Sequence, residues 1–183
     1  MVQFGTVSTR LATRQTFIDA MRVVANSVTV VTTDGPAGRH GATVSAFSSV
    51  SADPPTTLVC LRSQSRIALA VAENGVFCVN VLPQSSQEIA ERFSGCHDER
   101  FPNRFEGIRC HEASGSAPII DGTTAFSCVV KQVVTSGSHR IFIGHVCEVR
   151  QGVPEPLTYL SGAYHRVVPQ HTVLKDDPCA RAA

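Results

Sequence analysis

The sequence predicts a mainly β domain of the α+β class, an antiparallel barrel with helices packed on its outside. Strand-like runs rich in β-branched residues recur from Ser27 to Val168, about seven in all. Only three short stretches read as helices. These do not alternate regularly with the strands, as a doubly wound parallel sheet would require. The 183 residues, 43% of them hydrophobic, suit one domain with a full core. The expected layout is an N-terminal extension over 1–15, the domain over 16–168 and a polar tail over 169–183.

Each element has a local reason. In "TFIDAMRVVAN", residues 16–26, Phe17, Ala20, Met21, Val24 and Ala25 form one helical stripe, with Thr16 and Asp19 as a capping box. Ser27 to Thr33 is a strand and Asp34 to Gly38 a turn. Arg39 to Ala52 is a second extended segment of small residues, stopped by Asp53-Pro54-Pro55 because proline cannot donate to a ladder. Thr56 to Arg62 is an apolar strand. Ser65 to Gly75 is a helix with glycine just past its end. Val76 to Leu82 is a strand, and Ser85 to Gly95 a helix with a Ser85/Glu88 capping box. Residues 96–122 are rich in loop. Two long strands, Thr124–Val134 and His139–Arg150, flank the hairpin turn "TSGS", and "PLTYLSGAYHRV" is a last strand pair.

Several function classes are excluded. A net charge of +1 implies no partner nucleic acid and no anionic membrane. No apolar run reaches the length of a membrane span, and the N-terminus lacks an export pattern, so a cytoplasmic protein is expected. The seven cysteines are odd in number, include no Cys-x-x-Cys pair and lie mostly in apolar runs. They read as buried free thiols in a reducing compartment. Cys96-His97 and Cys110-His111 have spacing unlike any zinc module, so no metal is expected. The nucleophile elbow, phosphate loop and His-Glu-x-x-His motifs are missing. Gly35, Gly38 and Gly41 are spaced Gly-x-x-Gly-x-x-Gly with no helix following, a poor dinucleotide fingerprint. No catalytic side chain is identified, so any chemistry is expected to belong to a bound cofactor.

The stretch "AMRVVANSVTVVTTDGPAGRHGATVSAFSSVSADPPTTLVCLRSQSR", followed by "NGVFCVNVL", "ERFSG", "GSHRIFIGHV" and "YLSGAYHRV", resembles the short-chain flavin reductases, the NAD(P)H:flavin oxidoreductase components of two-component flavin-dependent monooxygenases. The resemblance covers Phe17 to Val168. It implies a split β-barrel of the FMN-binding type, a homodimer, and FMN or FAD near the dimer interface. NADH is implied as reductant, with NADPH possible, and a separate monooxygenase as recipient of the reduced flavin. Hydride would pass from nicotinamide C4 to flavin N5, which needs two stacked rings and no protein acid or base.

The resemblance also implies a site. Gly41, Ala42, Thr43, Val44, Ser45, Ala46 and Ser51 match the segment along the flavin ring, where small residues let backbone groups approach a flat ligand. Thr43 and Ser45 hydroxyls could add donors and acceptors, or with Ser48 and Ser49 simply line the solvent face of a strand. Cys60, Leu61 and Arg62 match residues bordering the flavin, and Ser65, Arg66 and Ile67 match those beside its phosphate. A helix start at Ser65 suits an anion. Arg66 would add a charged fork, unless it is a solvated surface arginine. Phe93, Ser94 and Gly95 match a third flavin contact, although Phe93 could equally be the core residue of its helix. His139 matches a histidine that contacts NADH, and Tyr164, His165 and Arg166 match an element near the dinucleotide. Asn80 could sit at the barrel mouth or at a ladder end. A flavin-dependent oxidase that makes peroxide without NADH, or a non-enzymatic flavin- or haem-binding carrier, are the alternative readings.

Overall fold

The computed structural model describes residues 10–111 and 117–169. Among the described residues twelve strands and three helices follow in order: α1 (Arg14–Met21), β1 (Asn26–Ser27), β2 (Thr29–Thr33), β3 (His40–Val44), β4 (Phe47–Ala52), β5 (Pro55–Arg62), α2 (Arg66–Asn74), β6 (Val76–Val81), α3 (Gln87–Ser94), β7 (Cys110–His111), β8 (Ile119–Ile120), β9 (Thr124–Ser136), β10 (His139–Arg150), β11 (Leu157–Leu160) and β12 (Ala163–Arg166). The protein is mainly β, as expected. Among the described residues no helix is long and apolar enough to cross a membrane. Most of the expected polar tail, with Cys179, lies outside the described residues.

Seven strands form one antiparallel sheet in the order β3-β2-β6-β9-β10-β5-β4. Its two edge strands, β3 and β4, are consecutive in the chain and separated only by Ser45 and Ala46. The sheet therefore rolls until its edges approach, but no ladder joins β3 to β4. The expected single segment Arg39–Ala52 is thus two strands at opposite ends of the sheet. Pro55 opens β5 opposite Ala52, so Asp53 and Pro54 form the turn instead of ending the sheet.

β2 lies between two cores. Its residues are all buried, and they alternate: Val31 joins Val59, Leu61, Val71, Phe77 and Phe142 inside the roll, while Val30 joins Leu82, Ala90, Phe93 and Leu157 beneath α3. α2 covers the inner core through Ile67, Ala68 and Val71. A small sheet, β1-β11-β12, docks on the second core through Val28 N donating to Leu157 O at 2.8 Å and Leu157 N donating to Leu82 O at 2.8 Å.

Two caps differ from expectation. Thr13, not Thr16, caps α1 and accepts from Thr16 N, so the helix begins earlier than its apolar stripe suggests. That stripe stays open, with Phe17 61%, Met21 45% and Val24 43% exposed. α3 starts after Ser86 without a side-chain cap, so the Ser85/Glu88 box does not form. The expected left-handed glycines are present at Gly75 (φ 71°) and Gly95 (φ 96°), each ending a helix.

Asn80, whose place the sequence left open, is a fully buried junction. Its Nδ2 donates to Val30 O at 3.1 Å and Thr32 Oγ1 at 3.2 Å. Its Oδ1 accepts from Ile120 N at 2.8 Å and Thr123 Oγ1 at 3.2 Å. The side chain thus ties β2 to β8 and to the turn leading into β9. Asn80→Ala leaves buried polar groups unpaired on both sides and is expected to destabilise the protein by about 2–4 kcal/mol, read from urea unfolding.

Candidate functional site

A cleft of about 590 Å³ opens where β3, the start of α2, the end of α3 and the loop after α3 converge. β3 contributes Gly41, Ala42 and Thr43. Its side chains are mostly committed to packing. Ala42 and Val44 face the inner core. Thr43 Oγ1 donates to Ala90 O at 2.6 Å, so its proton is already used. At Gly41 a Cβ would lie 2.5 Å from Phe93 Cε1 and 3.1 Å from Phe105 Cζ. The small residue makes room there for two rings. What β3 offers the cleft is its backbone, because an edge strand leaves alternate N–H and C=O groups outside the ladder.

The start of α2 forms the second wall through Ser65, Arg66 and Ile67. Ser65 is the N-cap: its Oγ accepts from Ala68 N at 3.3 Å and donates to Arg62 O at 2.7 Å. The amides of Arg66 and Ile67 have no partner within the helix and sit at its positive end. The Ile67 side chain belongs to the inner core. The Arg66 side chain is 80% exposed, its Nη2 3.8 Å from Asp98 Oδ2.

The third wall is the end of α3 with Pro102 to Phe105. Phe93 is fully buried, its ring 4.9 Å from that of Phe105, so the core alternative holds for its side chain. Ser94 is exposed and donates to Glu91 O at 2.7 Å. Arg104 meets Asp98 with two 2.7 Å contacts and donates to Phe93 O at 2.8 Å. Those guanidinium hydrogen bonds hold the Asp98 carboxyl below the usual carboxylate range. Arg39 also lines the cleft, bonded to Asp34 at 2.8 Å and 5.8 Å from the Phe105 ring centroid. With Arg39, Arg66 and Arg104 around it, the cleft suits a phosphate; with a free strand edge beside them, it suits a flat ligand carrying one.

The structure gathers Gly41–Thr43, Ser65–Ile67 and Phe93–Ser94 in one place, with Gly95 beside them: a Cβ there would lie 2.8 Å from Arg104 Nη2. Other expected site residues lie elsewhere in the chain. Ser45 lines a second cavity of about 460 Å³ with Phe47, Ser48, Ser49 and Phe126. Ala46 is exposed, and Ser51 Oγ donates to Asp53 O at 2.9 Å, serving the β4–β5 turn. Leu61 is in the inner core, Cys60 half-buried and Arg62 exposed. His139 pairs with Arg62 across β10 and β5, and Ser63 N donates to Ser138 O at 2.9 Å, so the hairpin tip sits beside the entry to α2. Tyr164, His165 and Arg166 lie on β12, in the small sheet, and do not line the cleft. Tyr164 packs on the second core, and burial, then Glu91 and Tyr159, push its hydroxyl pKa up.

Sequence reasoning missed Arg39, His40 and the Pro102–Phe105 wall. The signal was "RFPNRF", arginine and phenylalanine paired twice in a loop just past a helix-ending glycine.

Residues 21–167 match the model of the flavin reductase like domain. The chain belongs to this family. A relative in the flavin reductase like family, the FMN reductase (NADH) RutF of Ancylobacter novellus, is 39% identical over 167 residues, covering 89% of this chain and 90% of that protein. The solved structure of a homologue of nitrilotriacetate monooxygenase component B from Mycobacterium thermoresistibile superposes with a TM-score of 0.79 at 30% identity, covering 93% and 96% of the two chains. That of BorF, the flavin reductase component of a bacterial two-component tryptophan halogenase, gives 0.76 at 29% identity, covering 85% and 99%.

The six described cysteines are free thiols. Burial is less general than expected: Cys78 and Cys128 are buried, but Cys96 and Cys147 are exposed. Burial pushes the Cys78 thiol up to about 12 and the Cys128 thiol up to about 11. Because the folded values are raised, both groups favour the native state below the ordinary thiol range, and that contribution is lost as pH climbs from about 9 toward 12. At about pH 8 a maleimide is expected to label Cys96 and Cys147 quickly, and Cys78 and Cys128 only after unfolding, as read by peptide mass mapping.

Proposed function

We propose that this protein is an NADH-dependent flavin reductase that supplies reduced flavin to a separate monooxygenase or similar flavin-using partner. The carrying observation is the cleft where the amides of Arg66 and Ile67, the Arg66 guanidinium and the free edge of β3 converge. The α2 amides and Arg66 would take the flavin phosphate. The backbone edge at Gly41–Thr43, continuing to Ser45, would meet the polar rim of the ring. FMN is favoured by the names of the curated relatives, with FAD as the second candidate. The bound flavin supplies the hydride acceptor at N5 for the nicotinamide C4. The chain's own work is to bind, orient and place positive charge. On this reading the rolled, open-seamed sheet is a split barrel of the FMN-binding type, occupying 16–168. The free thiols fit a reducing cytoplasm.

His139, beside Arg62, is assigned to the nicotinamide nucleotide. Tyr164, His165 and Arg166 do not line their own chain's cleft, and their part in NADH binding is assigned to the cleft of a second copy. A homodimer is supported by uncovered apolar side chains: Phe17 and Met21 on α1, Val129 opposite Val76 at the end of β6, and Val133 and Val134 where β9 runs past β6. Sedimentation equilibrium is expected to return twice the 19.6 kDa chain mass; a monomer at all concentrations would remove the shared-site assignment.

The deciding assay follows NADH oxidation by flavin-free protein as FMN or FAD is added. Saturation with flavin is expected. Arg66→Ala should raise the FMN KM about tenfold, and His139→Ala should raise the NADH KM while leaving FMN binding unchanged. Flavin binding without NADH turnover would favour the carrier; peroxide formation from another substrate without NADH would favour the oxidase.

A further inference from the structure

We propose that Asp98 and Arg104 are the positioning pair of the cleft, their two-pronged ion pair setting both the Pro102–Phe105 wall and Arg66 for the ligand phosphate. The inference rests on the reading that the cleft holds flavin.

Arg104 uses every nitrogen. Nε and Nη2 meet the two Asp98 oxygens at 2.7 Å each, while Nη1 donates to Phe93 O at 2.8 Å and Gly41 O at 3.3 Å. One side chain thereby joins the loop after α3, the last turn of α3 and the edge strand β3, three of the pieces that enclose the cleft. A planar fork on a carboxylate fixes orientation as well as distance. The loop is shaped around it: Gly95 adopts φ 96°, and Arg104 Nη2 occupies the space a Cβ there would need. Asp98 also faces Arg66, through a single 3.8 Å contact to an otherwise exposed guanidinium. That contact is long and solvent-exposed, so it orients Arg66 without locking it.

Electrostatics alone makes this carboxylate a liability. Asp98 sets a negative charge among cations that would receive an anion, and its removal should then tighten phosphate binding. Positioning predicts the opposite sign. Asp98→Asn leaves the cleft more positive but breaks the fork, so the ligand should bind less well.

The test measures FMN binding to flavin-free protein by fluorescence quenching, with steady-state kinetics and thermal unfolding alongside. Asp98→Asn and Arg104→Lys are each expected to weaken FMN binding about tenfold and to raise the FMN KM in step, with kcat at saturating FMN and the NADH KM within about twofold. Arg104→Lys keeps the charge and loses the planar fork, so it reports on geometry even if Asp98→Asn does not fold. FMN bound equally or more tightly by a folded Asp98→Asn protein overturns the proposal. So does a loss of folding in both variants, which would make the pair structural only. If Arg66→Ala weakens FMN binding and the Asp98 and Arg104 variants do not, this inference alone falls. If the wild-type protein binds no FMN, the flavin reading falls with it.

Discussion

Two residues constrain the whole fold. Seven strands laid flat at about 4.8 Å would put the outer strands about 29 Å apart. The chain crosses from Val44 at the end of one edge strand to Phe47 at the start of the other in three Cα steps, about 11 Å at most. The sheet can satisfy that link only by rolling. Rolling turns one face inward, where Val31, Val59, Leu61, Phe77 and Phe142 fill the interior, and turns the other face outward, where Val30 of β2 packs with Ala90 and Phe93 of α3 and Cys78 of β6 packs with Ile119 and Ala125.

The same link explains where the cleft lies. β3 and β4 meet at the seam without a ladder, so β3 keeps a backbone edge outside any ladder, touched by Arg104 at Gly41 O. α2 begins right after β5, on the β4 side of the seam, and α3 packs over β3 through Phe93 and the Thr43 hydroxyl. A helix N-terminus, a strand edge outside any ladder and the loop that carries Arg104 are therefore brought together by topology. Arg92 and Arg104 then hold that loop: Arg92 donates to Glu106 O at 2.5 Å and stacks 3.9 Å from the Phe101 ring, and Arg104 clasps Asp98.

Small residues in the Arg39–Ala52 stretch have more than one cause. Their shared smallness suggested a ligand lying against the backbone. In the structure Gly41 yields space to Phe93 and Phe105, Thr43 bonds α3, and Ser51 caps a turn. Only the backbone edge remains for a ligand, with Ser45 turned to the second cavity. Residue type indicated close approach correctly; which partner approaches was a tertiary matter.

The sequence by itself determined the local elements: β2, β5, β6 and the long β9–β10 hairpin from β-branched runs, and α2 and α3 with their ends at Gly75 and Gly95. It also carried the family, through motifs spread from Phe17 to Val168. These are legible because propensity and periodicity act over a few neighbouring residues. Only the tertiary structure decided that Arg39–Ala52 is two strands at opposite edges, that Asn80 joins β2 to β8, and that Arg104 reaches from the loop back to Gly41. The last two depend on partners 40 to 63 residues away in the chain. No local pattern encodes a distant partner, and the partner, not the residue type, settles whether a small or polar side chain serves the core, a turn or the cleft.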